Sequence, residues 1–308
     1  IDMSPIILFS FVIGYFVLLL AVAYFTSRGS NNESFFIGNR NSNWMLVAFG
    51  MVGTSLSGVT FVSVPGNVGD INFNYFQLVI GYVLGYAVVA FILLPLYYRM
   101  NLTSIYTYLE NRFGVNAHKA GAFFFILSRT VGATARLYLV INILQLFILD
   151  KLGIPFLATA LVILTLILLY TFEGGVRTII FTDTLQTSGM LIGLVACLLV
   201  LVQALGTDVT GAWQLINEKG YNQIINTDVN SPFNFWKQLL GGMFITITMT
   251  GLDQEMMQKN ISVKNLKDAQ TNMITIGFTM LFVITLFLFL GATVCFFKPS
   301  ANFFTSEF

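Results

Sequence analysis

The sequence predicts an all-α integral membrane protein, and three observations carry that reading. Of 308 residues, 56% are hydrophobic and only 9% charged, with a mean hydropathy of +0.80. A soluble domain carries about a quarter charged residues and has no interior for 31 Phe beside this much Leu, Ile and Val. Apolar stretches run near 6–26, 44–66, 74–98, 120–149, 155–172, 179–205, 234–252 and 271–297, and most reach the roughly 20 residues a helix needs to cross hydrocarbon. They are continuous and do not alternate, which selects helices over a β-barrel. The net charge of +1 and the lack of a basic run argue against nucleic acid and leave lipid as the surrounding partner.

Stretch 6–26 has no basic region before it and no small-residue cleavage pattern after it, so it reads as a retained helix and not a signal peptide. The chain starts without Met and stops at Ser306-Glu307-Phe308, soon after an apolar stretch. It is expected to be a piece of something longer. Stretch 44–66 is the unusual one. MVGTSLSGVTFVSVPG (51–66) carries Thr54, Ser55, Ser57, Thr60 and Ser63, glycines at 53, 58 and 66, and Pro65. Close packing through small residues is one reading. The other is a helix that unwinds inside the bilayer, where loose carbonyls coordinate a cation and hydroxyls hold a polar solute. The density of hydroxyls favours the second.

Tyr75 and Gln77 open stretch 74–98, where an interfacial role or a solute contact are both open. TSIYTYLENRFG (103–114) predicts a short interfacial helix with Ser104 ahead of it and Gly114 as its stop. Stretch 120–149 contains Arg129 and Arg136, seven residues apart and hence on one face. An intramembrane Arg marks a functional site by default, against snorkelling or pairing with a buried acid. LATALVILTLILLYTF makes stretch 155–172 short but wholly apolar. Asp183, in FTDTLQ, lies just inside stretch 179–205 and is placed to pair with an Arg, to neutralise or to bind a cation. The polar segment 206–233 is expected outside, with a short amphipathic helix. In GGMFITITMTGLDQ (241–254), Trp236 precedes Gly242, Met243 and Thr246 at the intervals by which Trp44 precedes Gly50, Met51 and Thr54. Two interrupted segments at matching positions mark an inverted repeat. Asp253 and Glu255 read as the inner end of that stretch.

With the N-terminus outside, inner loops hold Arg28, Arg40, Arg99, Arg112, Lys119, Arg177, Lys259, Lys264 and Lys267, and outer segments hold Lys151, Lys219, Lys237 and Lys298, nine against four. Lys and Arg resist translocation, so the bias supports that orientation. The sequons at Asn32, Asn101 and Asn260 then fall inside and read as chance. Cys197 and Cys295 read as small core residues, with no disulfide or metal framework. One histidine, His118, has no acid partner nearby in sequence, so a membrane-embedded enzyme is disfavoured. No filter motif suggests a channel.

Four segments together resemble the sodium:solute symporter family of sodium-coupled sugar, proline, sialic acid, iodide and vitamin carriers. SFFIGNRNSNWM (34–45) is similar to the family's loop before the first core helix, and GTSLSGVTFVSVPG (53–66) to that helix. EGGVRTIIFTDTLQ (173–186) resembles its Gly-Gly turn and Thr-Asp-x-x-Gln helix start, and LDQEMMQKNISVKNLKDAQ (252–270) its D-x-x-x-Q-[RK] loop. The resemblance implies a leucine-transporter-like five-plus-five inverted-repeat fold, here only partly present, within a single transmembrane domain: an extra peripheral helix (6–26), the first five-helix repeat (44–205), an extracellular loop (206–233) and the first two helices of the second repeat (234–297). It implies sodium on the carbonyls of Gly53 and Leu56 and on Asp183, with no other cofactor, and solute contacts at Ser55, Ser57 and Thr60. Gln77, Arg129, Arg136 and Thr246 join these as candidate solute contacts.

The departures bear on the solute. Proline-type members carry Asp where Ser55 stands, sugar-type members Glu near Val59, and sialic-acid-type members Arg near Gly132, one turn from Arg129 and Arg136. The expectation is a symporter in the plasma (bacterial inner) membrane, bringing in a small solute that is anionic or carboxylate-bearing. The alternative is a transporter-like solute sensor attached to a signalling domain.

Overall fold

The computed structural model describes residues 5–27, 42–102, 104–171 and 175–297. Segment 34–45 therefore lies mostly outside the described residues, as do Glu173-Gly174, Arg28, Arg40 and Lys298. Helix α1 spans Pro5–Ser27. Stretch 44–66 is two helices, α2 (Trp44–Ser55) and α3 (Gly58–Gly66). After a short α4 (Val68–Ile71) and a 3-10 turn, α5 (Tyr75–Val88) continues through a π turn at Val89–Leu93 into α6 (Leu94–Arg99). Then come α7 (Ile105–Phe113), α8 (Val115–Leu144), α9 (Phe156–Thr171), α10 (Gly175–Ala204), α11 (Val209–Glu218), α12 (Phe235–Thr246), α13 (Gln254–Ile261) and α14 (Leu266–Phe297). By length and composition, runs 6–26, 58–99, 115–152, 178–204 and 266–297 are long and apolar enough to cross a membrane.

The expected interfacial helix is α7. Ser104 Oγ accepts from the Tyr106 N–H (3.2 Å), and the chain leaves the helix at Gly114 with φ +88°, a conformation that favours glycine. The expected amphipathic helix in 206–233 is α11. Asp208 caps it, accepting from the Gly211 N–H (2.7 Å) and the Thr210 hydroxyl (2.6 Å); those bonds hold its carboxyl below the usual carboxylate range.

In lipid the apolar effect does not drive helices together, so close approach decides packing. Two glycine contacts set the frame. α5 crosses α12 where a Cβ on Gly81 would lie 2.2 Å from Leu239 O and one on Gly242 would lie 2.0 Å from Leu78 O. α2 crosses α10 where a Cβ on Gly53 would lie 1.8 Å from Thr187 Oγ1. α14 packs against α2, α3 and α5 and buries Met273, Ile276, Ile284 and Phe287. Cys197 is exposed and Cys295 only partly buried, so the expectation of two core cysteines fails. An apolar side chain gains nothing by leaving a lipid-facing surface. Asn260 is fully buried, in line with reading its sequon as chance.

Gln77 is a clasp and not a solute contact. Fully buried, it donates from Nε2 to Asn74 O and Phe233 O (both 3.1 Å) and accepts at Oε1 from the Asn226 N–H (3.1 Å). The side chain thus ties the polar 222–234 segment to α5. Gln77→Leu strands a buried N–H and a buried carbonyl at about 1–3 kcal/mol each. The expected result is a lower unfolding temperature with new proteolytic cleavage between residues 222 and 234; unchanged protease resistance would refute the clasp.

Candidate functional site

The backbone of 44–66 stops being helical at Leu56 and Ser57, whose φ/ψ are −95°/119° and −107°/169°. The ladder of α2 ends with the Leu56 N–H on Val52 O (2.9 Å). The Ser57 N–H turns to Thr60 Oγ1 (3.2 Å), while the Thr60 N–H goes to Ser57 Oγ (3.4 Å). This is a capping box in which Thr takes the place of the usual Glu or Gln. The carbonyls of Gly53, Thr54, Ser55 and Leu56 have no backbone partner four residues on. They point from the negative end of the α2 dipole, so the break gathers oxygen lone pairs and partial negative charge. Pro65, the obvious breaker in the sequence, sits inside α3 instead.

A second break follows α12. Its last turn widens into a π turn at Ile247–Gly251, Leu252 leaves the helix, and Asp253 adopts extended angles (−92°/130°) and caps α13 by accepting from the Met256 N–H (3.0 Å). Here the freed Gly251 carbonyl already has a donor, the Tyr97 hydroxyl at 2.8 Å. The break comes sixteen residues after Trp236 but twelve after Trp44, so the Trp-aligned repeat locates the segment and misses the break by a turn.

Between the breaks lies a cavity of about 340 Å³. Thr54, Ser55 and Ser57 line it from the first break, and Thr246, Thr250, Glu255 and Met256 from the second. Tyr82 and Tyr86 of α5 and Arg129 and Arg136 of α8 complete its polar wall. Five of the expected solute contacts, Ser55, Ser57, Arg129, Arg136 and Thr246, therefore converge. Thr60 does not line the cavity, because its hydroxyl is committed to the capping box; Gln77 is committed to its clasp.

Charges arrange themselves along one edge of this cavity. Lys259 of α13, its side chain 4% exposed, donates to Asp183 Oδ2 (2.7 Å), Thr54 Oγ1 (2.9 Å) and Glu255 Oε1 (3.2 Å). The Thr54 hydroxyl also lies within 3.0 Å of Asp183 Oδ2. Arg129 pairs with Asp253 and, at 3.6 Å, with Glu255. The expectation of sodium on Asp183 thus meets an ammonium already at its carboxylate. Lys259 is a buried link, not an inner-loop charge, which leaves eight inner against four outer. Asp253 and Glu255 are part of the site and not of the interface. Among the described residues Arg136 makes no ion pair.

Helices long enough to span a bilayer, two of them broken and facing one polar cavity, define a class: the secondary transporter, in which unwound backbone lines the binding region. The model of the sodium:solute symporter family matches residues 35–306. The chain belongs to that family. It is 27% identical over 275 residues to the sodium-dependent multivitamin transporter of Oryctolagus cuniculus, covering 86% of this chain and 41% of that one. It is 26% identical over 273 residues to the sodium/sialic acid symporter NanT of Aliivibrio fischeri, covering 85% and 52%. Its fold matches a substrate-bound, outward-open Na+-coupled sialic acid symporter with a TM-score of 0.80 at 21% identity, over 93% of this chain and 59% of that one. The leucine-transporter-like, partly present fold stands with that match. The chain spans about half the length of the curated relatives it matches.

Proposed function

We propose that the whole protein is a secondary active transporter that couples inward sodium movement to uptake of a small anionic solute by alternating access. The observation that carries this is the break at Leu56–Ser57, which presents unladdered carbonyls beside a polar cavity. Sodium sits on the carbonyls of Gly53 and Leu56, and the solute lies against Ser55, Ser57 and Thr246. Arg136, the cavity cation with no acid partner among the described residues, receives the solute's negative charge. The multivitamin and sialic acid carriers among the relatives support sodium coupling. Sodium drives transport only by binding one conformational state better than the other. The protein lies in the plasma or bacterial inner membrane with its N-terminus outside, residues 44–205 forming the first repeat and 234–297 opening the second.

The test is uptake by the full-length protein in liposomes, screened over small carboxylates with inward sodium or potassium gradients. Accumulation only with sodium supports the reading, and equal accumulation removes it. Arg136→Gln is expected to raise KM for an anionic solute by about ten- to a hundredfold, the range of a truncated charge pair worth 1.4–2.7 kcal/mol. An unchanged KM would remove Arg136 from the solute site.

A further inference from the structure

We infer that Lys259 is a built-in cation that closes the Asp183 position to sodium, so that this chain's sodium site is confined to the first break. The inference rests on the sodium-coupled reading above and sets its stoichiometry.

The ammonium is held by three oxygens from three separate helices: Asp183 on α10 at 2.7 Å, Thr54 on α2 at 2.9 Å and Glu255 on α13 at 3.2 Å. A carboxylate, a hydroxyl and a second carboxylate converging on one point is the oxygen set that a hard cation takes; here a charge-assisted hydrogen-bond donor takes it. With its side chain 4% exposed, the amine has little water to return to. Its helix is anchored in turn, because Asp253 caps α13 and pairs with Arg129. A tethered cation competes at a fixed effective concentration whatever the salt, whereas free sodium must displace it and leave an ammonium buried without a partner. The local charge needs no further cation: Lys259, Arg129 and Arg136 stand against Asp183, Asp253 and Glu255, three of each sign around the cavity.

The experiment is the stoichiometry of radioactive sodium bound to the purified full-length protein, with choline as the control salt. The wild type is expected to bind one sodium per chain. Lys259→Met, which frees Asp183 and Thr54, is expected to bind a second, and adding Asp183→Asn is expected to lose it again. Two sodium ions on the wild type would overturn the inference, as would one on a folded Lys259→Met. If Lys259→Met does not fold, the wild-type count decides alone. No sodium on the wild type but one on Lys259→Met would sink the sodium-coupled reading and uphold the role of Lys259.

Discussion

Gly53→Ala is expected to abolish sodium-driven uptake and to lower the yield of folded protein. The added Cβ would lie 1.8 Å from Thr187 Oγ1 and 2.9 Å from Thr187 Cβ. Rotating the threonine moves its hydroxyl away but not its Cβ, and it breaks the bond from Thr187 Oγ1 to Asp183 O (2.7 Å). α2 must then lift off α10. Overpacking of this kind costs about 1–3 kcal/mol, and in lipid no apolar gain offsets it. The shift also falls on the residue whose carbonyl begins the unladdered run. Thr187→Gly introduced into the Gly53→Ala background makes room and is expected to restore most of the uptake. Thermal unfolding and sodium-stimulated transport of both variants check this; wild-type behaviour of Gly53→Ala alone would refute the contact.

Asp253→Ala removes two supports at once. It takes the cap from α13, worth about 1 kcal/mol, and the main partner from Arg129. Removing one member of a buried pair costs about 3–5 kcal/mol. The loss here belongs at the low end of that range, because Arg129 is 29% exposed and keeps Glu255 at 3.6 Å. Asp253→Asn separates the two contributions, since Asn caps a helix as well as Asp does but leaves Arg129 short of a charge. The expected order of unfolding temperature is wild type, then Asn, then Ala, with uptake following the same order. An Asn variant as unstable as Ala would mean that the charge pair accounts for the whole effect and the cap for none.

The first break was legible because its cause is local. Gly53, Ser55, Ser57, Gly58 and Thr60 are poor residues for a lipid-facing helix, and Ser57 with Thr60 forms the cap from neighbouring residues. The site of the break was less legible, since Pro65 draws the eye nine residues beyond Leu56. The second break was missed for a different reason. QEMMQKNI, the whole of α13, is too polar to register as a buried helix, and segment 252–270 therefore read as a loop. Its burial depends on ion pairs whose partners lie far away in sequence: Asp183 is 76 residues from Lys259, and Arg129 comes from α8. Hydropathy sees side chains one at a time and has no access to such pairing. The same limit applies to Gln77, whose polar side chain suggested a solute contact. Its three hydrogen bonds reach residues 226 and 233, which only the fold brings near. Lys259 could have been suspected from one signal: a lysine in the [RK] position of a segment that also carries Asp253 and Glu255.

The central claim is that backbone oxygens freed at Leu56–Ser57 grip sodium, and hydrogen–deuterium exchange reads that backbone directly. On the purified full-length protein, replacing potassium with sodium is expected to slow amide exchange in peptides covering residues 50–60 and to leave α9 unchanged. Exchange in 50–60 that is the same in both salts would contradict the account.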